Sequence, residues 1–222
     1  MLTKNLLTSG AYLDNFKELP ENILWSLDRI EKSMRETMKE RPDRGDFWVF
    51  GYGSLIWNPL LNFAEQQAAK LLGWHRSFCL RLLANRATLD KPGRMLALKS
   101  GGRTEGIAFR LTEQVAEEEL ILLWVREMAT GVYRPIWTTI SLKDGSEATA
   151  LVFIAEPTHP FFEADATVAA IAGCIASAEG PLGSNADYVQ RLHHALSENG
   201  IVDEYVEVLF TELGRQPYEL VM

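Results

Sequence analysis

The sequence predicts an α+β fold with an antiparallel or mixed sheet that can curl into a barrel. Two observations carry this. Strand-like runs cluster between residues 47 and 154, and most helical patterns follow them. The strands do not alternate regularly with helices, as a doubly wound parallel sheet requires.

The elements follow in chain order. Ile23, Leu27, Ile30, Met34 and Met38 recur at helical spacing, so residues 19–40 read as a helix. Pro20 suits its first turn and Pro42 ends it. Residues 41–46 form a turn-rich linker. Residues 1–46 therefore read as an N-terminal helical extension docked on a domain spanning 47–222. Residues 47–50 are an aromatic-rich strand ending in a Gly-Tyr-Gly-Ser turn. Residues 64–72 are ambiguous, with Ala and Gln favouring helix. Residues 74–83, 95–98 and 106–111 read as strands, separated by turns at Pro92-Gly93 and Gly101-Gly102.

Thr112 is a candidate cap for a helix over 113–128, where Leu120, Trp124 and Met128 form one buried stripe. Gly131 closes it. Strands 135–142 and 148–154 flank Lys143-Asp-Gly-Ser146, a hairpin signal. An Ala-rich helix over 166–178 ends at Gly180-Pro181. Ser184 or Asn185 caps a helix through Leu196, and a last helix covers about 202–213.

Composition excludes several functions. The net charge is −8, from 30 acidic and 22 basic side chains. Such a chain is poorly suited to nucleic acid or anionic membranes, although a local basic pocket stays open. No run approaches the roughly 20 apolar residues of a membrane span. The N-terminus is too polar for a secretory signal, so the expected setting is cytoplasmic. Cys79 and Cys174 sit in apolar runs and read as small buried hydrophobes. His75, His159, His193 and His194 lack zinc-ligand spacing, so no metal site is expected.

Two places are suited to chemistry. Gly51-Tyr-Gly-Ser54 follows a buried strand directly. Its glycines permit close approach and unusual backbone angles, and its N–H groups suit an anion. It equally reads as an ordinary turn, and it matches no nucleotide loop. Glu127 ends a largely apolar helix. There the negative end of the helix dipole and an apolar setting both raise a carboxyl pKa toward that of a general base. It equally reads as a solvated partner of a nearby arginine.

A resemblance weighs on both choices. Val49-Phe-Gly-Tyr-Gly-Ser-Leu-Ile-Trp-Asn-Pro59, Gly73-Trp-His-Arg76, Arg126-Glu127 with Gly131-x-Tyr133, and Gly180-Pro-Leu-Gly-x-Asn-x-x-Tyr188 occur in this order. Together they resemble the ChaC family, glutathione-specific γ-glutamylcyclotransferases, and its bacterial branch in particular. The resemblance implies a γ-glutamylcyclotransferase-like mixed β-barrel with flanking helices. It implies cleavage of glutathione to 5-oxoproline and cysteinylglycine, with Glu127 as acid and base. It implies that the loop Gly51, Tyr52, Gly53, Ser54, Leu55 and Ile56 holds the γ-glutamyl group. Tyr133 and Tyr188 are secondary candidates for substrate contacts. The attacking amine belongs to the substrate, so no metal or organic cofactor is expected and the partner is a small molecule. A cyclotransferase for other γ-glutamyl compounds and a non-catalytic binding module are the competing expectations. An interaction role for residues 1–46 competes with simple packing.

Overall fold

The computed structural model describes residues 2–113 and 116–215. Five strands close a barrel: β1 (Phe47–Gly51), β2 (Glu65–Leu82), β3 (Gly93–Leu111), β4 (Tyr133–Leu142) and β5 (Glu147–Ala155). Their order around the barrel is β1-β3-β2-β4-β5. β1 runs parallel to β5, and every other pair is antiparallel. This is the mixed barrel that the family resemblance implies. Closure leaves none of these strands as a bare edge.

The helices lie outside: α1 (Lys4–Thr8), α2 (Leu27–Lys39), α3 (Ala116–Glu127), α4 (Val168–Ser177), α5 (Asn185–Glu198) and α6 (Glu204–Arg215). A two-stranded ribbon, β6 (Glu179–Gly180) with β7 (Gly183–Ser184), precedes α5. α3 packs against α1 and α2, while α4, α5 and α6 pack on one another. The fully buried Trp124 joins α3 to the barrel, with its ring edge-on to Phe153 of β5 at 5.0 Å. Among the described residues no helix is long and apolar enough to cross a membrane.

Three expectations about elements change. Residues 64–72 are mostly strand, because pairing with β3 outweighs the helix preference of Ala and Gln. Gly101 and Gly102 make no turn. They sit opposite Gly73 at a register shift, and all three have positive φ. The result is a bulge that bends two long strands around the barrel. The N-terminal helix starts at Leu27 rather than 19, because the Ser26 hydroxyl accepts from Arg29 N at 3.3 Å. Residues before it turn instead to bring Trp25 N to the Ala129 carbonyl at 2.9 Å. α1 and the 3₁₀ turn at Leu13–Phe16 lacked a sequence signal.

Other boundaries hold closely. Ser184 is the cap of α5, accepting from Asp187 N at 3.0 Å. The 143–146 hairpin forms, with Asp144 accepting from Ser146 N. The cap expected at Thr112 would act on residues 114 and 115, which lie outside the described ones.

Residues 1–46 share the main hydrophobic core, through Leu7, Phe16, Ile23, Ile30 and Met34. α1 is also tied to α3 by charge. Lys4 Nζ lies 2.7 and 3.1 Å from the two oxygens of Glu119. The Asn62 side chain and backbone N–H also donate to Glu119, so this buried carboxylate has four hydrogen bonds.

Arg76, on β2, fixes where β1 ends. Its guanidinium is buried and donates to the Tyr52 carbonyl at 2.7 Å and the Glu105 carbonyl at 2.6 Å. It also pairs with Asp203 at 2.9 Å. Arg76→Leu leaves two carbonyls and a carboxylate without their donor. Loss of a buried ionic partner costs about 3–5 kcal/mol. Urea unfolding should show a loss of that size, and a loss below about 1 kcal/mol, the range of exposed pairs, would mean that this cluster does not hold the barrel end.

Candidate active site

The loop after β1 is a compact turn. Ile56 N donates to Gly53 O at 2.9 Å, and Asn58 N to Ser54 O at 3.0 Å. The Tyr52 hydroxyl donates to the Phe153 carbonyl at 2.6 Å, which pins the loop to β5. Neither Gly51 nor Gly53 has a positive φ, so unusual backbone angles are not why they are glycines. Space is the reason. A Cβ on Gly53 would lie 2.8 Å from the Tyr188 hydroxyl, and one on Gly51 would lie 3.0 Å from Leu55 Cβ.

Glu127 is the last residue of α3, and its side chain is 16% exposed. Arg126, beside it, is more deeply buried and already committed. Its Nη1 donates to Asn58 O at 2.7 Å, and its Nη2 to Ser54 Oγ at 2.7 Å. Its Nε is left to meet Glu127 Oε1 at 3.2 Å. One guanidinium thus joins the helix end to the glycine loop. The Glu127 carboxylate gains one charged partner from it, in contrast to the saturated Glu119. Burial pushes the Glu127 pKa above the usual glutamate range, and the opposing attraction of Arg126 is the smaller effect.

Two adjoining cavities meet at Glu127. An inner chamber of about 30 Å³ is lined by Tyr52, Gly53, Ser54 and Leu55 of the loop. An outer cavity of about 160 Å³ runs past Trp57, Asn58 and Arg94 to the N-terminal segment at Tyr12 and Phe16. Ser54, Glu127, Tyr133 and Tyr188 line both. The structure therefore gathers seven of the nine residues singled out in the sequence. Gly51 belongs to the end of β1, and Ile56 packs against the core; neither lines either of these two cavities.

The tyrosines are held in place. Tyr133 donates its hydroxyl to the Leu96 carbonyl at 2.8 Å, which leaves its oxygen free only to accept. Tyr188 packs edge-on to Trp57 at 5.3 Å, and Ser54 N–H is directed at its hydroxyl. Burial, helped by the Glu127 charge, pushes the Tyr188 phenol up to about 12. Burial also raises Tyr52 and Tyr133 well above the usual phenol value. These phenols stay protonated at neutral pH.

Among the described residues no histidine or cysteine lines either cavity. Ser54 lacks a base and receives a hydrogen bond from Arg126 instead. Cys79 is buried as expected, but Cys174 is only half-buried, on α4. His159 acts at a distance. Its Nδ1 accepts from Phe161 N at 3.1 Å, so Nε2 donates to Thr130 O at 3.0 Å and steadies the chain after Glu127.

Several lining residues escaped the sequence reading. Arg126 was visible only as the neighbour of Glu127. Tyr12 carried no signal, yet its hydroxyl donates to Arg126 O at 3.3 Å. Asn185 belongs to the Gly180–Tyr188 motif, and its side chain bonds both Arg94 N and Arg94 O.

A model of the ChaC-like protein family matches residues 47–216, starting at the first residue of β1. The chain belongs to the ChaC family. A glutathione-specific gamma-glutamylcyclotransferase of Escherichia coli (strain K12) is 48% identical over 97% of this chain and 93% of its own length. Gamma-glutamylcyclotransferase 2-3 of Arabidopsis thaliana is 32% identical over 76% of this chain and 87% of its own. A crystal structure of a yeast gamma-glutamyl cyclotransferase specific to glutathione matches with a TM-score of 0.71 at 23% identity. It covers 77% of this chain and 96% of that one, a likeness of fold.

The Arg126–Glu127 pair gives a stability prediction. Arg126→Met should cost about 3–5 kcal/mol, since it leaves Glu127 buried without its charged partner. Adding Glu127→Gln should recover part of that loss in a double-mutant cycle read by chemical denaturation. Strict additivity of the two changes would mean that the pair is not coupled.

Proposed function

We propose that this chain converts glutathione to 5-oxoproline and cysteinylglycine by intramolecular cyclisation. The observation that carries the reading is the placement of Glu127. A buried carboxylate with a raised pKa stands where the two cavities meet, opposite the glycine loop. The 48% identity to the Escherichia coli protein supports glutathione as substrate.

The chemistry needs no nucleophile from the protein. The α-amine of the γ-glutamyl group attacks the γ-carbonyl and closes a five-membered ring. The C–N bond to the cysteinyl residue then breaks. At neutral pH the amine is an ammonium and inert. Glu127, as a carboxylate, accepts a proton from it, and the resulting carboxylic acid returns a proton to the departing cysteinyl nitrogen. Ring closure also releases a second proton from the attacking nitrogen; the carboxylate, regenerated by the first transfer, takes it up and passes it to the departing amine, which leaves as an ammonium.

Geometry supplies the rest. The backbone N–H groups of Gly53 and Leu55 face the developing oxyanion or the α-carboxylate, and the loop folds the γ-glutamyl chain so that its ends meet. Tyr133 and Tyr188 wall the same space. Arg126 holds Ser54 and Glu127 at fixed separation. Gly51 and Ile56 contribute by shaping the loop. The cysteinylglycine half extends into the outer cavity.

Residues 47–222 form the catalytic domain, and residues 1–46 are an addition that closes one side of the outer cavity through Tyr12 and Phe16. The two free thiols, Cys79 and Cys174, suit a reducing cytoplasmic setting. The substrate is the small-molecule partner, and the reaction calls on no cofactor, nucleic acid or membrane.

Purified protein with glutathione should release 5-oxoproline. Glu127→Gln should lower kcat by at least about 10²- to 10⁴-fold, the usual share of acid–base catalysis, without loss of fold. The base is the ionised form, whose fraction grows with pH. kcat/KM should therefore rise with pH along a limb centred above the ordinary glutamate range. Near-normal turnover by Glu127→Gln would remove Glu127 from the mechanism.

A further inference from the structure

The protein carries a net charge of −8, yet its outer cavity is lined by Arg81, Arg86, Arg94, Arg126 and Arg191, with Glu127 as the acid among its lining residues. Two acids behind the wall offset part of this charge. Glu163 accepts from Arg81 at 2.7 Å and lies 3.4 Å from Arg94 Nη2. Asp187 accepts from Arg86 at 2.8 Å and from Arg191 at 3.0 Å. Five cations against three anions leave the cavity with an excess of positive charge. An anion is drawn into such a recess even when the whole molecule is acidic.

Four of these arginines each make an ionic contact of 3.2 Å or shorter. Arg94 does not. Its side chain is 14% exposed, and its one ionic contact is the long 3.4 Å approach to Glu163. Its Nη1 is buried and has no hydrogen-bond partner among the described residues. A buried N–H of a charged group without an acceptor is costly and marks a place where a ligand acceptor belongs. The backbone of Arg94 is meanwhile fixed on both sides by the Asn185 side chain, at 2.8 and 3.0 Å. The residue is thus rigid at its base and unsatisfied at its tip.

We infer that Arg94 binds the C-terminal glycine carboxylate of glutathione and so selects the tripeptide over shorter or neutral γ-glutamyl compounds. This rests on the cyclotransferase reading above. Glutathione has two carboxylates. The α-carboxylate of the γ-glutamyl group shares a carbon with the attacking amine, so it must stay beside Glu127 and the glycine loop. Arg94 lines the outer cavity and not the inner chamber, which places it toward the opposite end of the substrate. There the free anion is the glycine carboxylate. A planar guanidinium presents two N–H groups to a carboxylate at once, and Nη1 with Nη2 of Arg94 forms that fork. The weak Glu163 contact is readily given up or shared.

The test compares glutathione with its C-terminal amide, γ-glutamylcysteinylglycinamide, in the full-length protein. The wild type should favour glutathione by roughly 10- to 100-fold in kcat/KM, the range expected of a hydrogen bond to a charged group. In Arg94→Gln that ratio should fall to near one, chiefly through a higher KM for glutathione. Arg94→Lys, which keeps a cation but loses the fork, should retain an intermediate ratio. A purely structural role would lower both substrates together and leave the ratio intact, and thermal unfolding of each variant registers that case. A wild type indifferent to the amide, or an Arg94→Gln protein that still discriminates, would overturn the inference while leaving the cyclotransferase reading standing. A wild type that cyclises neither compound would instead remove that reading, and this one with it.

Discussion

Helix α3 buries two glutamates and treats them oppositely. Glu119 receives four hydrogen bonds from Lys4 and Asn62, and so ties the N-terminal segment to the helix. Glu127, two turns further on, is left with the Nε edge of an arginine whose other nitrogens are taken by Asn58 and Ser54. Desolvation is therefore only partly offset at Glu127, and its proton affinity rises. The proposed reaction depends on this shortfall. A fully paired carboxylate would be a strut, and a solvated one would be too acidic to take a proton from an ammonium. Arg126 also fixes the glycine loop, so the same interaction sets the proton affinity and the geometry.

The rest of the fold keeps that pair in place. The buried guanidinium of Arg76 anchors the loop at the Tyr52 carbonyl. The Tyr52 hydroxyl anchors it to β5. Trp124 holds the helix to the same strand, at Phe153. The N-terminal segment adds Tyr12, whose hydroxyl meets the Arg126 carbonyl near the helix end. In the proposed reaction this segment contributes a wall to the site.

Much of this was legible in the sequence, and the rest was hidden for identifiable reasons. The helix stripe at Leu120 and Trp124, the Asp144-Gly145 hairpin and the Ser184 cap are local patterns, and they survive folding. Residues 64–72 misled because strand pairing is a long-range gain that Ala and Gln do not advertise. Gly101 and Gly102 read as a turn because a bulge and a turn use the same residue for the same backbone freedom. At the site, Gly53 and Glu127 were singled out, but their local readings stayed balanced against ordinary ones until four motifs were read together. The cationic lining of the outer cavity could not be placed, since only folding brings Arg81, Arg86 and Arg94 together with Arg126 and Arg191, and the overall charge is negative.

The central claim is that burial, against the pull of Arg126, makes Glu127 a carboxylate of raised proton affinity. Its titration can be read directly, from the side-chain carboxyl ¹³C shift of glutamate-labelled protein, with Glu127→Gln assigning the resonance. The account predicts a midpoint clearly above the 4.5 of an ordinary glutamate. A midpoint at or below that value would contradict it, because the Arg126 attraction would then outweigh desolvation and leave no base suited to the reaction.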